Sequence, residues 1–217
     1  MAKPISINGI NEAEFAELSM ASYGNNEVDG WLKRDIDLPP NAAQHGFSAQ
    51  VYQSTTSDKL VIAYRGTDEA RDWTGPNDEI AEDYYNLPLT DGEGEDPQFV
   101  DALEFAERVR QNFPNQEILV TGHSLGGGLA QLVADSYGWG GMTFDAPGME
   151  EITQGGSFSQ FQEFFNGTPV TDGFGKVGQQ ARFINRPVED SAVSGVGTSI
   201  GEVSELRYPE EFRGHLT

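Results

Sequence analysis

The sequence predicts an α/β fold in which a mostly parallel central sheet is flanked by helices, with an N-terminal helix and an antiparallel hairpin. Apolar segments of strand length alternate with amphipathic segments of helix length, as a covered parallel sheet requires. In addition, an apolar strand runs through a glycine-flanked serine into a helix at residues 117–130. The 217 residues can bury one sizeable core, so we expect one domain over residues 1–217.

The first half of the chain predicts a helix followed by a hairpin. Asn11 and Glu14 form a plausible capping pair for a helix over residues 12–23. Residues 47–53 and 59–64 have the composition of strands and are separated by a short polar stretch. We therefore expect these two strands to pair as a hairpin.

The second half predicts helices and strands in alternation. Pro97 opens a segment of helical periodicity that ends before Pro114, and it leads into the strand before the serine. The helix after the serine should end near Gly138. Residues 141–146 and 181–185 are predicted as further strands.

The turn around Ser124 is the most informative feature for function. A serine hydroxyl becomes a useful nucleophile when a tight strand-to-helix turn holds it in the open beside a base. Gly122 and Gly126 lie two residues on either side of Ser124, where a side chain would block the close approach of strand and helix. This arrangement predicts a nucleophile elbow.

A second match to the same glycine-serine pattern occurs at residues 197–201, centred on Ser199. No clean apolar strand precedes it and no long helix follows before Pro209. Only His215 follows it, so the chain order serine, aspartate, histidine cannot be completed from Ser199. We expect Ser199 to be a loop residue.

Composition limits the classes of partner. The formal net charge of −22 disfavours binding to nucleic acid and to anionic membrane surfaces, because like charges repel. Cysteine is absent, which removes disulfides and thiol catalysis. No apolar run approaches the roughly 18 residues that would suggest a membrane span, and no signal peptide is visible. We expect a soluble protein of unknown localisation, with secretion by a leaderless route as one alternative.

Two further segments each leave alternatives open. Between Asp68 and Asp101 there are twelve acidic residues and one arginine, which indicates a solvated loop or, as the sharper alternative, a cation-binding loop. We assign no metal.

The phenylalanines of residues 158–165 are typical of ordinary core, and a wall that binds an acyl chain is the alternative.

Several motifs together resemble the class 3 lipases, the fungal-type α/β-hydrolase lipases. The segments that carry the resemblance, which covers residues 12–190, are Tyr64-Arg65-Gly66-Thr67-Asp68, Thr121-Gly122-His123-Ser124-Leu125-Gly126-Gly127, Phe144-Asp145-Ala146-Pro147-Gly148 and Phe183-Ile184-Asn185-Arg186-Pro187-Val188-Glu189-Asp190. The resemblance implies an α/β-hydrolase fold, a Ser-Asp-His triad and no cofactor. It also implies an acyl-ester lipid as the substrate, at an interface or in solution.

The resemblance places the catalytic aspartate at Asp190, with Glu189 and Asp172 as weaker alternatives. The base must be one of three histidines. The His123 side chain should diverge from its neighbour Ser124 on so tight a turn, and His45 precedes the hairpin, which violates the family's chain order. His215 therefore remains as the expected base.

The resemblance also implies the donors of the oxyanion hole, which stabilise the negative charge that forms on the substrate carbonyl. These are the backbone N–H groups of Leu125 and of Thr67, the latter with its hydroxyl as a further donor.

One departure from the family concerns His215, which comes 25 residues after Asp190 and two before the end of the sequence. We expect either that residues 208–217 pack firmly or that the chain is a catalytic domain cut from a longer protein.

The sequence thus predicts a serine carboxylic-ester hydrolase, a lipase or esterase that cleaves neutral acyl esters through an acyl-enzyme on Ser124. Phospholipase A activity on glycerophospholipids is the nearest alternative. A hydrolase-fold binding protein without turnover is the alternative from another class.

Overall fold

A seven-stranded sheet forms the centre of the described part of the protein. The structure is a computed structural model, and it describes residues 5–24, 26–66, 97–150, 181–188, 191, 193–195 and 197–205. The strands lie in the sheet in the order in which they occur in the sequence: β3 (Trp31–Arg34), β4 (Ala49–Ser54), β5 (Lys59–Tyr64), β6 (Glu117–His123), β7 (Gly140–Phe144), β8 (Phe183–Arg186) and β9 (Glu202–Val203). A separate two-stranded ribbon pairs β1 (Ser6–Ile7) with β2 (Ile10–Asn11).

The sheet changes from antiparallel to parallel at β5. Strands β3, β4 and β5 pair antiparallel, so the predicted hairpin is confirmed. From β5 to β9 every pairing is parallel. The carboxyl ends of β5, β6, β7 and β8 therefore meet at one edge of the sheet, where ligands of open α/β sheets usually bind.

Helices cover both faces of the sheet. Helix α1 (Glu12–Ala21) packs on one face, and α2 (Pro97–Asn112) and α3 (Leu125–Tyr137) pack on the other. Strand β5 shows how the sequence directs this arrangement, because its alternate residues belong to two different apolar clusters. Leu60, Ile62 and Tyr64 face α2 and α3, whereas Val61 and Ala63 face α1.

Local signals account for the helix ends. Asn11 caps α1 through its side chain, and the Glu14 side chain bonds back to the Asn11 backbone, which confirms the predicted capping pair. Helix α3 ends at Gly138, which adopts a left-handed conformation with φ of 68°. None of the helices in the described ranges is long and apolar enough to cross a membrane.

The structure also contains strands that the sequence patterns did not predict. Strands β1, β2 and β9 have two residues each, too few to show an alternating pattern. Strand β3 is an edge strand with one buried residue, Trp31, followed by three exposed ones, so hydrophobicity carries little signal there. Helix α1 ends at Ala21 rather than at residue 23.

Candidate active site

Ser124 lies at the turn between β6 and α3 and has a strained backbone. Its φ of 54° and ψ of −132° are unusual for a residue with a side chain. Hydrogen bonds hold the turn: the Ser124 N–H donates to the Phe144 carbonyl at 3.1 Å, and the Ser124 carbonyl accepts from the N–H groups of Gly127 and Gly128 at 2.9 and 3.2 Å. The side chain is partly exposed and its hydroxyl does not cap α3. The hydroxyl is therefore available at the carboxyl edge of the sheet.

The glycines around Ser124 allow three backbone segments to touch. A Cβ atom at Gly122 would lie 2.2 Å from the Gly126 carbonyl oxygen. One at Gly126 would lie 2.2 Å from the Tyr64 carbonyl oxygen and 2.7 Å from the Gly66 nitrogen. Since real Cβ atoms do not approach backbone atoms so closely, these positions need glycine, as the elbow pattern predicts.

Leu125, the first residue of α3, is next to the nucleophile and partly exposed. The first four N–H groups of a helix have no partner within the helix, and the helix dipole makes this end electropositive. The Leu125 N–H therefore has the properties that a developing oxyanion requires.

The Tyr23 hydroxyl lies on the other side of the elbow, at the end of α1. Its oxygen is 3.1 Å from the Gly66 nitrogen, 3.0 Å from Nδ1 of His123 and 3.3 Å from the His123 carbonyl oxygen. The rings of Tyr23 and His123 meet edge to face with their centroids 6.0 Å apart. The His123 side chain thus turns toward Tyr23, which agrees with the expectation that it packs rather than acts as the base.

Burial lowers the pKa of His123 because the protonated ring would lose hydration, while the nearby charge of Asp145 partly opposes this by raising the pKa. Asp145 follows β7 and has a φ of 44°. Its N–H donates to the Arg186 carbonyl at 3.0 Å, and its Oδ1 atom is buried with no hydrogen-bond partner among the described residues. The edge of the sheet beside Ser124 therefore holds a carboxylate with an unmet hydrogen-bonding capacity.

Buried polar side chains fix the loops around this edge. Thr143 donates its hydroxyl hydrogen bond to the Asn185 side chain at 2.6 Å, which joins β7 to β8. The side chain of Gln131, fully buried in α3, donates to the Pro147 carbonyl at 2.7 Å and accepts from the Ile200 N–H at 2.9 Å. Gln131 thus ties the loop after β7 to the loop before β9.

The structure brings two of the predicted site residues together, Ser124 and Leu125. Thr67, Asp190 and His215 lie outside the described residues, as do the weaker acid candidates Glu189 and Asp172. The triad and the Thr67 donor therefore stay predictions. The aromatic stripe of residues 158–165 also lies outside the described part.

His45 has a structural partner away from the elbow. Its Nδ1 atom is 2.7 Å from the Asp101 carboxylate, and Asp101 is buried in α2. Burial raises the pKa of Asp101, although the hydrogen bond and the charge of His45 act to lower it. The prediction of a solvated loop up to Asp101 was therefore wrong for this last residue, because the helical periodicity of α2 directs it inward. Residues 68–96 of the acidic segment lie outside the described ranges.

Ser199 lies in the loop before β9, as predicted. The glycines of this second motif serve packing rather than an elbow. Gly197 and Gly201 have φ of 73° and 88°, in the left-handed region that favours glycine. A Cβ at Gly201 would also lie 2.7 Å from the Phe183 carbonyl oxygen. Backbone conformation and one close approach thus explain the glycines around Ser199. No cluster of three or more metal-ligating side chains occurs within the described ranges.

Sequence reasoning did not find Tyr23, Gln131 or Asp145 as parts of this site. Tyr23 lies just after the end of α1, where its local sequence gives no sign of a role, and Gln131 is one polar residue within an apolar helix. A single glutamine within the apolar run of residues 129–134 was a usable signal in the sequence. Asp145 stood inside a recognised motif, but only its positive φ and buried oxygen single it out.

Comparisons with known proteins agree with this geometry. The sequence profile of the phospholipase-like family, the Tle-like phospholipase domain, matches residues 14–163. Extracellular phospholipase A1 of Serratia liquefaciens is 30% identical over 154 residues, which are 70% of this chain and 42% of that protein. The putative lipase ATG15 of Eremothecium gossypii is 50% identical over 52 residues, 24% of this chain and 10% of that protein. This chain therefore spans less than half the length of either relative.

Among solved structures, the nonglycosylated LIP2 lipase of Yarrowia lipolytica superimposes with a TM-score of 0.54. The match covers 91% of this chain and 79% of that one at 16% sequence identity, and it therefore concerns the fold alone. The fold is that of an α/β hydrolase, as the sequence predicted. Because the family profile covers more than half of the sequence, this protein belongs to the phospholipase-like family of the Tle-like phospholipase domain.

Proposed function

We propose that this protein is a carboxylic-ester hydrolase, a lipase or esterase that cleaves acyl esters of neutral lipids through an acyl-enzyme on Ser124. The observation that carries this proposal is the geometry of Ser124, which has a strained backbone at the carboxyl edge of a parallel sheet and a hydroxyl not used as a helix cap. A strained nucleophile on a strand-to-helix turn is the arrangement used for acyl transfer.

In the proposed reaction, the Ser124 oxygen attacks the acyl carbon while His215 takes the hydroxyl proton. The carbonyl oxygen becomes an oxyanion, stabilised by the N–H groups of Leu125 and Thr67. Collapse of this intermediate breaks the ester bond, and His215 returns the proton to the leaving alcohol. Water then hydrolyses the acyl-enzyme by the same steps, and Asp190 orients and stabilises His215 throughout.

Sheet register supports the role of Asp190. The backbone N–H of Ser124 donates to the carbonyl of Phe144, and Phe144 is paired with Arg186 at the carboxyl end of β8. Asp190 follows Arg186 by four residues, which reach at most about 14 Å when fully extended. An acid on this loop has the reach to serve a histidine beside Ser124.

Phospholipase A activity is the second candidate, and the comparisons favour it. The matching family is phospholipase-like, and the Serratia liquefaciens relative is named as a phospholipase A1. The same nucleophile and donors serve either ester. The net charge of −22 opposes approach to anionic lipid surfaces, and this favours neutral or zwitterionic substrates.

The test measures hydrolysis of a triglyceride emulsion, of phosphatidylcholine vesicles and of phosphatidylglycerol vesicles, with calcium chelated and salt varied. Ser124→Ala is the inactive reference, and Ser199→Ala is the matched control in the second motif. We expect activity that depends on Ser124 and a deficit on phosphatidylglycerol at low salt that narrows as salt screens the charge. Lysophospholipid as the main product would favour the second candidate. Equal activity of wild type and Ser124→Ala would refute ester hydrolysis at this elbow.

A further inference from the structure

The Tyr23 hydroxyl joins three segments that meet at the elbow: the residues after α1, the residues after β5 and the end of β6. It lies 3.1 Å from the Gly66 nitrogen, beyond the end of β5, and 3.3 Å from the His123 carbonyl oxygen at the end of β6. It also lies 3.0 Å from the His123 ring nitrogen Nδ1. Tyr23 itself follows α1, on the face of the sheet opposite α3.

The hydrogen-bonding capacity of one phenol allows it to link Gly66 to His123 in either of two ways. A tyrosine hydroxyl donates one hydrogen bond and accepts up to two. The Gly66 N–H donates to it, since a backbone N–H cannot accept. The hydroxyl then donates to His123, either to the carbonyl oxygen while the ring N–H donates back, or directly to Nδ1. In both tautomers of His123 one oxygen atom links Gly66 to the residue before the nucleophile.

Gly66 touches the elbow itself. A Cβ atom at Gly66 would lie 2.3 Å from the Tyr23 hydroxyl oxygen, 2.5 Å from the His123 carbonyl oxygen and 3.2 Å from the Ser124 Cβ. A side chain at Gly66 therefore has no room beside these groups. The Tyr23 hydroxyl is one of the groups that hold the Gly66 backbone close to Ser124.

We propose that Tyr23 is a positioning residue for ester hydrolysis, whose hydroxyl holds the backbone at Gly66 at a fixed separation from Ser124. Gly66 immediately precedes Thr67 in the sequence, the residue to which the proposed function assigns an oxyanion donor, and the inference rests on that function. Tyr23 acts through Gly66 and His123, and it touches neither substrate nor reacting atoms. Its contribution is to the geometry of the transition state rather than to substrate binding.

Packing of α1 does not depend on this hydroxyl. Phe15, Leu18 and Ala21 are buried against the sheet and anchor the helix. Removing the hydroxyl with Tyr23→Phe therefore leaves the apolar contacts of α1 in place. Tyr137→Phe is the matched control, because it removes a buried hydroxyl that bonds to the Leu103 carbonyl at the opposite end of α3 from Ser124.

The experiment measures kcat and KM for p-nitrophenyl butyrate, and the inhibition constant of an alkyl trifluoromethyl ketone that mimics the tetrahedral intermediate. We expect Tyr23→Phe to lower kcat by about 10- to 30-fold with KM within about twofold, less than the 10²–10³ of a deleted oxyanion donor because the donor is displaced rather than lost. The ketone should bind more weakly by the same factor, since it senses the transition-state geometry. Tyr137→Phe should match wild type.

Gly66→Ala provides a second variant that perturbs the same contact, because its Cβ would lie 2.3 Å from the Tyr23 hydroxyl oxygen. Its loss in kcat and that of Tyr23→Phe should combine to less than their product, because both act on one separation. An unchanged kcat in Tyr23→Phe, a change in KM alone, or ketone binding equal to wild type would overturn the inference. Those results leave the proposed function intact when Ser124→Ala is inactive, whereas turnover by Ser124→Ala would refute the function and this inference together.

Discussion

Replacing Gly126 with alanine tests how closely α3 packs against the backbone that leads out of β5. The new Cβ would lie 2.2 Å from the Tyr64 carbonyl oxygen, 2.6 Å from the Arg65 carbonyl carbon and 2.7 Å from the Gly66 nitrogen. All three are backbone atoms of one segment, so no side chain can rotate away to make room. Either α3 or the end of β5 must move.

Gly128, two residues further along the same helix, gives the control. A Cβ there would meet the Met149 Sδ at 3.2 Å and the Pro147 Cγ at 3.3 Å, and the Met149 side chain can adjust. Alanine in place of glycine stabilises a helix interior by about 1 kcal/mol. Overpacking of a core costs about 1–3 kcal/mol, and contact with fixed backbone belongs at the upper end. We expect a net loss of about 2 kcal/mol for Gly126→Ala and a change within about 1 kcal/mol for Gly128→Ala.

Urea denaturation followed by tryptophan fluorescence measures both variants, together with initial rates on p-nitrophenyl butyrate. For a domain of this size a loss of about 2 kcal/mol lowers the Tm by roughly 4–8 °C. Gly126→Ala should also lose activity at temperatures where it remains folded, because Gly66 is displaced. If Gly126→Ala were as stable and as active as Gly128→Ala, the close contact between α3 and the end of β5 would be refuted.

Two further predictions concern the predicted triad and His123. His215→Ala should reduce ester hydrolysis about 10⁴-fold or more, and it should cause no further loss in a Ser124→Ala background, because triad members act as a unit. The control variant His45→Ala should retain most activity. Near-normal rates for His215→Ala would contradict the triad. Burial lowers the pKa of folded His123 below the unfolded value of about 6.5, an effect that Asp145 only partly opposes, so the unfolded state binds the proton more tightly. The free energy of unfolding should thus decrease as pH falls below about 6.5. Urea titrations from pH 8 to 5 should show a smaller decrease for His123→Asn. If the free energy of unfolding of both proteins depended on pH in the same way, the burial of this ring would be contradicted.

Strong local patterns allowed most of the fold to be predicted. Strand β5 matches its predicted bounds of residues 59–64 because a continuous apolar run is flanked by polar residues. The elbow and α3 were predictable because an apolar strand leads into the glycine-flanked Ser124 and a helical segment follows it, a context that the second match around Ser199 lacks. Strands β3 and β9 were not, since pairing with a neighbouring strand defines them rather than their own composition.

The candidate site was only partly predictable for a similar reason. Ser124 and Leu125 were predictable because both belong to one contiguous motif. The contact of Tyr23 with Gly66 joins residues 43 positions apart, and that of Tyr23 with His123 joins residues 100 positions apart. Nothing in the local sequence of either partner encodes these contacts, which follow from the docking of α1 on the sheet. Side chains that position a nucleophile therefore need the tertiary structure to be found.

The most direct test of the central claim is covalent labelling of the folded protein with a fluorophosphonate, followed by peptide mass spectrometry. An activated serine reacts with this reagent, whereas an ordinary surface hydroxyl does not. The account predicts one equivalent of label, located on Ser124 and absent from Ser124→Ala. A folded protein that takes up no label, or that carries the label on Ser199, would contradict the account.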